Sequence, residues 1–145
     1  MPEVFMQQRF GAGPERVFDA MTDHAGFGRW MKADIWVERQ GTPPPNGLGA
    51  VRVVTARGLT VREEIVRWEA PQAMDYRVIA GAPFRDHLGE IRLVPDGDGT
   101  RVDYRIRFAW PWYLGGSVVA RLVARTLERE ISAGLARMAV GLTST

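Results

Sequence analysis

Cysteine is absent from all 145 residues, which removes thiol nucleophiles, thiolate zinc sites and disulfides from consideration. Lysine is nearly absent: Lys32 stands alone among 19 basic residues, and the rest are arginines. Those arginines are scattered among 17 acidic residues and form no basic run, so no nucleic-acid partner is expected. Histidine is scarce too. His24 and His87 are the only two, neither stands at a ligand spacing, and no metal or other cofactor is expected. No apolar run approaches the roughly 20 residues that cross a bilayer, so no integral membrane segment is expected. Met1-Pro2-Glu3-Val4 lacks the basic-then-apolar pattern of a signal peptide, and a cytoplasmic protein is the default. A formal charge of +2 with 46% hydrophobic and 25% charged residues is ordinary for a folded chain. The length suits one domain over residues 1–145.

The last third holds the clearest pattern. Leu114, Val118, Val119, Leu122, Val123, Leu127, Ile131, Leu135, Met138 and Leu142 recur in steps of three, four and seven, the stripe of a long amphipathic helix. Arg121, Arg125 and Arg129 lie off that stripe, with Glu128 and Glu130 nearby to make a solvated, salt-bridged face. Upstream, Val4 to Phe10 reads as a strand. Gly13-Pro14-Glu15 opens a short helix carrying Val17, Phe18 and Met21. Asp23 caps a second short helix with Phe27, Trp30 and Met31 on one side. Strands follow at Ile35 to Arg39, Ala50 to Ala56, Leu59 to Trp68, Met74 to Ala80, His87 to Val94 and Thr100 to Trp110. Arg57-Gly58 and Asp96-Gly97-Asp98-Gly99 supply hairpin turns. Pro43-Pro44-Pro45 puts the loop from Gly41 to Gly47 outside the ladder.

Alternation along the strands separates two faces. Val102, Tyr104, Ile106, Phe108 and Trp110 oppose Arg101, Asp103, Arg105 and Arg107. Met74, Tyr76, Val78 and Ala80 share a side, as do His87, Gly89, Ile91 and Leu93. Val51, Val53 and Thr55 oppose Arg52. The strand from Leu59 to Trp68 admits two settings: Leu59, Val61 and Ile65 inward with Glu63, or Val66 and Trp68 inward with Glu64. A long amphipathic helix needs a surface on which to bury its stripe, and a curved antiparallel sheet needs something laid across its concave face. The fold expected is therefore α+β: about seven antiparallel strands wrapped around a C-terminal helix, with two short helices after the first strand and a pocket between sheet and helix.

In that order of elements the chain resembles the START, or SRPBCC, superfamily of helix-grip proteins, in particular its polyketide cyclase or dehydrase and lipid transport branch. The likeness rests on Pro14-Glu15-Arg16-Val17-Phe18-Asp19-Ala20, Asp23 through Trp30, Gly47-Leu48-Gly49-Ala50-Val51-Arg52, Glu63-Glu64-Ile65-Val66 and Gly99-Thr100-Arg101-Val102. It implies an internal cavity for lipids, polyketides or other apolar molecules.

Trp30, Val53, Tyr76, His87, Tyr104, Phe108, Leu122 and Leu127 are the residues expected to line that cavity and bind an apolar or amphipathic small molecule. A homodimer stays open. The alternative is a cyclase or dehydratase that uses His87 with Tyr76 or Tyr104, or an inward Glu63 or Glu64, as acid–base groups; no catalytic residue is assigned. Each tyrosine has a plainer role as core filler bonded to a nearby carbonyl. His24 is expected at the solvent-exposed start of its helix. Trp110-Pro111-Trp112-Tyr113 is either a packed hinge closing the core or an aromatic knot that lines the pocket entrance or touches a membrane or partner. The loops from Gly41 to Gly47 and from Gly81 to Arg85 are expected together at the cavity mouth, with Phe84 as a plug.

Overall fold

A computed structural model describes residues 2–143; Met1, Ser144 and Thr145, which the single-domain reading also takes in, lie outside the described residues. The elements run β1 (Glu3–Phe10), α1 (Pro14–Thr22), α2 (His24–Met31), β2 (Asp34–Arg39), β3 (Val51–Ala56), β4 (Leu59–Glu69), β5 (Ala73–Ala80), β6 (Arg85–Asp96) and β7 (Gly99–Ala109). A 3₁₀ turn (Trp112–Leu114) leads into α3 (Gly116–Thr143). The seven strands form one antiparallel sheet in the order β1-β7-β6-β5-β4-β3-β2. The α1–α2 connection carries the chain from one sheet edge to the other, and α3 returns beneath the concave face. This is the helix-grip fold. No helix among the described residues is long and apolar enough to cross a membrane.

Local chemistry accounts for the elements. Pro14 occupies the first turn of α1, where its missing N–H costs nothing. The Asp23 carboxylate accepts from the Gly26 N–H at 3.3 Å and starts α2. Arg57 and Gly58 both take positive φ, 53° and 77°, the two-residue turn whose twist matches that of the β3–β4 hairpin.

Two register shifts curve the sheet between β4 and β5, as bulges do. The one between Ile65 and Arg67 also removes the choice posed by the sequence. Leu59, Val61 and Glu63 line the concave side, Ile65 is fully buried, and after the bulge Trp68 turns inward as well, its ring 5.1 Å edge-on from Phe18. The first set and Trp68 of the second are thus used inside, and Glu64 is left outside, paired with Arg39 at 3.3 Å and Arg77 at 3.6 Å.

The helix does not bury its stripe uniformly. Leu135 and Met138 are in the core with Phe10, Phe18 and Met21. Two glycines let α2 come close to this half of α3: a Cβ on Gly134 would strike the Met31 thioether, and one on Gly141 the Trp30 ring. Arg137 then ties the helices by donating to the Trp30 carbonyl from Nε at 3.0 Å and Nη2 at 2.6 Å. Toward the N-terminal end Val118 and Leu122 are exposed, as is Leu114 in the preceding turn, and the space beneath Leu122 is not filled by side chains.

The packing has a direct test. Met138→Ala should cost about 2–5 kcal/mol in urea unfolding, the usual penalty for a truncated core side chain. Val140, 73% exposed on the same helix, should lose no more than about 0.5 kcal/mol as Val140→Ala. Equal losses would mean that the C-terminal half of α3 is not gripped as described.

Candidate functional site

Between the sheet and the N-terminal half of α3 lies a cavity of about 750 Å³. Its floor is Arg52, Val54 and Ala56 of β3, Leu59, Val61 and Glu63 of β4, Tyr76 and Val78 of β5, His87 of β6 and Tyr104 and Ile106 of β7. Phe27, Met31 and Lys32 close one end, and Leu122, Val123, Thr126, Leu127, Glu130 and Ile131 of α3 form the roof. Lining residues are exposed at Lys32, at that end, and at Arg57, Leu59 and Leu122, which mark the mouth. There the Arg57 guanidinium, on the β3–β4 turn, is paired with the Glu130 carboxylate across the opening.

The polar groups gather at the inner end around Arg52, which is 2% exposed. Register places Arg52 directly opposite Glu63, and its Nε donates to Glu63 Oε1 at 2.9 Å. Its Nη1 donates to His24 Nδ1 at 3.0 Å. Arginine has no acceptor, so the His24 hydrogen sits on Nε2 and donates to the Asn46 carbonyl at 3.1 Å. The Asn46 amide in turn donates to the Thr22 carbonyl at 2.9 Å. The guanidinium carbon lies 4.6 Å from the Tyr76 ring centroid, a cation–π contact. The other side of that ring needs a bare backbone: Tyr76 is paired with Gly89, where a Cβ would strike it. The Tyr76 and Tyr104 hydroxyls are hydrogen-bonded to each other. The Val78 N–H donates to His87 Nδ1 at 3.1 Å, which puts the His87 hydrogen on Nε2.

Burial sets the charge states. His24 is lowered to about 3, first by burial and then by the Arg52 cation, against its bond to Asn46. His87 is lowered to about 4, again first by burial, with its own carbonyl opposing and Arg52 adding to the depression. Burial raises both tyrosines, Tyr76 well above its ordinary value. At neutral pH the two imidazoles and the two phenols of the cluster are therefore neutral.

Of the eight residues expected on the wall, Tyr76, His87, Tyr104, Leu122 and Leu127 are there; Trp30, Val53 and Phe108 are not. Trp30 is used up between α2 and α3. Phe108 is buried behind Phe84, 4.9 Å away ring to ring, and Ile106 takes its place. Val53 is on the convex side, because β3 turns Arg52 inward. An apolar set is available on either face of that strand, and the cross-strand carboxylate decides between them. His24 is fully buried, not solvent-exposed, drawn in by Arg52. The loop from Gly41 to Gly47 does not reach the cavity. It is held by Gly41 N–H to the Pro45 carbonyl at 2.8 Å and Thr42 N–H to the Leu48 carbonyl at 2.9 Å, and Asn46 fixes it to α1. Phe84 does lie on the wall. Trp110-Pro111 closes the hinge, with Trp110 Nε1 donating to the Leu114 carbonyl at 2.8 Å, while Trp112 is 83% exposed. Among the described residues no group of three or more His, Cys, Asp or Glu is placed to hold a metal.

The family model described as polyketide cyclase / dehydrase and lipid transport matches residues 1–142. No functionally curated protein is similar enough in sequence to match. Solved structures share the fold. TTHA0849 from Thermus thermophilus is 22% identical, with 97% of this chain and 98% of that one aligned at a TM-score of 0.75. The Aha1 dimer from Colwellia psychrerythraea is 13% identical over 98% and 96% at 0.71. Ara h 8.0201 is 15% identical over 99% of each at 0.67.

Two tests follow from the cluster. Arg52→Met leaves Glu63 buried without its counter-charge and should cost about 3–5 kcal/mol, most of it regained in Arg52→Met/Glu63→Leu; a double variant as unstable as the single one would remove the ion pair's role. The histidines make the second. Each has a folded value below the unfolded value of about 6.5, so the unfolded chain takes up protons first. Stability is full above about pH 6.5 and falls as the pH drops toward 4 for His87 and 3 for His24. Within that window His87→Gln should reduce the slope near pH 5 by about 1.4 kcal/mol per pH unit, one proton's worth. An unchanged slope in urea titrations would show that His87 titrates as an exposed group.

Proposed function

The chain belongs to the polyketide cyclase / dehydrase and lipid transport family, and on that premise we propose that it binds a hydrophobic or amphipathic small molecule in the cavity between sheet and α3. The observation that carries this is the unfilled space itself. About 750 Å³ is within the range of small-molecule sites and far beyond the voids of a packed core. Its walls are mostly aliphatic and aromatic, with one polar cluster at the inner end and Lys32, Arg57, Thr126 and Glu130 elsewhere on the lining, the usual composition of a pocket that takes its affinity from burial and its orientation from a few polar groups. Removing roughly 300 Å² of ligand apolar surface from water is worth about 7 kcal/mol before the costs of association.

Acid–base catalysis in the same cavity has less support. His87, lowered to about 4, is a weak base at neutral pH, both phenols are raised, and the Glu63 carboxylate is held by Arg52. A group suited to proton transfer near pH 7 carries a value close to 7.

A naphthalene dye should bind saturably near one to one and quench tryptophan emission. Thr126, half-buried on the roof, faces the space; Thr126→Trp should fill it and weaken dye binding at least about tenfold, with the fold intact by circular dichroism. Dye that binds the variant as well as the parent is not in this cavity, and absence of saturable binding by the parent would overturn the proposal.

A further inference from the structure

The polar inner end of the cavity is unevenly supplied. Arg52 spends Nε on Glu63 and one Nη1 hydrogen on His24; among the described residues nothing accepts from Nη2, although the side chain is almost wholly out of water. The Tyr76–Tyr104 pair has two hydroxyl hydrogens and uses one between them, which leaves the other to donate. His87 Nε2–H is a further donor, since Nδ1 accepts from Val78. Against these stands one uncommitted carboxylate oxygen, Glu63 Oε2. The recess is rich in donors. It is also neutral: the Arg52 and Glu63 charges cancel, and both imidazoles and both phenols are uncharged.

That combination discriminates between head groups. A carboxylate would find donors, but it would leave the recess with an uncancelled negative charge next to Glu63 and out of water, which burial penalises. A carbonyl oxygen accepts two hydrogen bonds and adds no charge, and buried donors left without a partner penalise ligands that offer no acceptor. We infer that the Arg52 and Tyr76–Tyr104 donors select an apolar molecule bearing a neutral carbonyl, such as a ketone, ester or lactone, over one bearing a carboxylate. This rests on the ligand-binding reading above and names its class. An anionic amphiphile is directed the other way, with its charge at the rim near Lys32 and Arg57.

Three compounds of one skeleton test it: acetylnaphthalene, naphthoate and ethylnaphthalene, substituted at the same ring position and titrated at pH 7.5 against tryptophan emission. Acetylnaphthalene should bind about tenfold more tightly than either of the others, the worth of one to two well-made hydrogen bonds. Tyr76→Phe/Tyr104→Phe, which removes both hydroxyls, should remove most of that advantage and bind ethylnaphthalene at least as tightly as the parent does. Equal affinities for all three in the parent protein would overturn the head-group inference while leaving the cavity occupied. So would naphthoate binding that is tightest and falls in Tyr76→Phe/Tyr104→Phe. Failure of all three, together with the dye, would overturn the binding reading itself.

Discussion

A guanidinium held out of water inside a β-sheet is the constraint from which the interior of this protein follows. Arg52 cannot shed its proton, so its surroundings must supply both counter-charge and acceptors. Glu63 does so from the facing position on β4. His24 does so from α2, and it must remain neutral to act as acceptor. The flat face of the cation is covered by Tyr76, and Tyr76 lies where it does because residue 89 has no side chain. Through His24 and Asn46 the same charge also fixes the proline loop against α1. Three separate stretches of chain, β4, α2 and β5, thus converge on one side chain. Among the described residues every buried side-chain nitrogen and oxygen fully shielded from solvent has a partner.

The frame of the fold is legible in the sequence because it is written in periodicities. The period of two in β5, β6 and β7 and the steps of three and four in α3 survive in the structure, and element ends move by only a residue or a few. Legibility fails where two periodicities are equally good. In β3 both Val51–Val53 and Arg52–Val54–Ala56 alternate, and treating the charged set as solvent-facing is the normal choice. What reverses it is Glu63, a cross-strand partner that no local pattern reveals. In β4 the two apparent settings are joined by a bulge that alternation alone does not announce. His24 is misplaced by local pattern for the same reason as Arg52: its environment is made by residues distant in sequence. Trp30 and Phe108 have the right face and the wrong depth, and depth depends on what packs over them, here Gly141 and Phe84.

The helix that defines the architecture serves two purposes in its two halves. Toward its C-terminus small residues bring it against α2 and the core, while toward its N-terminus it spans empty space and touches the far rim through Glu130. Chains 13–22% identical in sequence share the frame.

The near-absence of lysine acquires a practical meaning in this geometry. Lys32, the only lysine, is exposed and lies at the end of the cavity. Amine-directed chemistry, which on most proteins decorates the surface at many points, is here confined to one side chain at the pocket's edge and any free α-amino group. A single acylated amine there is a site-specific handle, and its accessibility to reagent reports directly on whether the space beside it is filled.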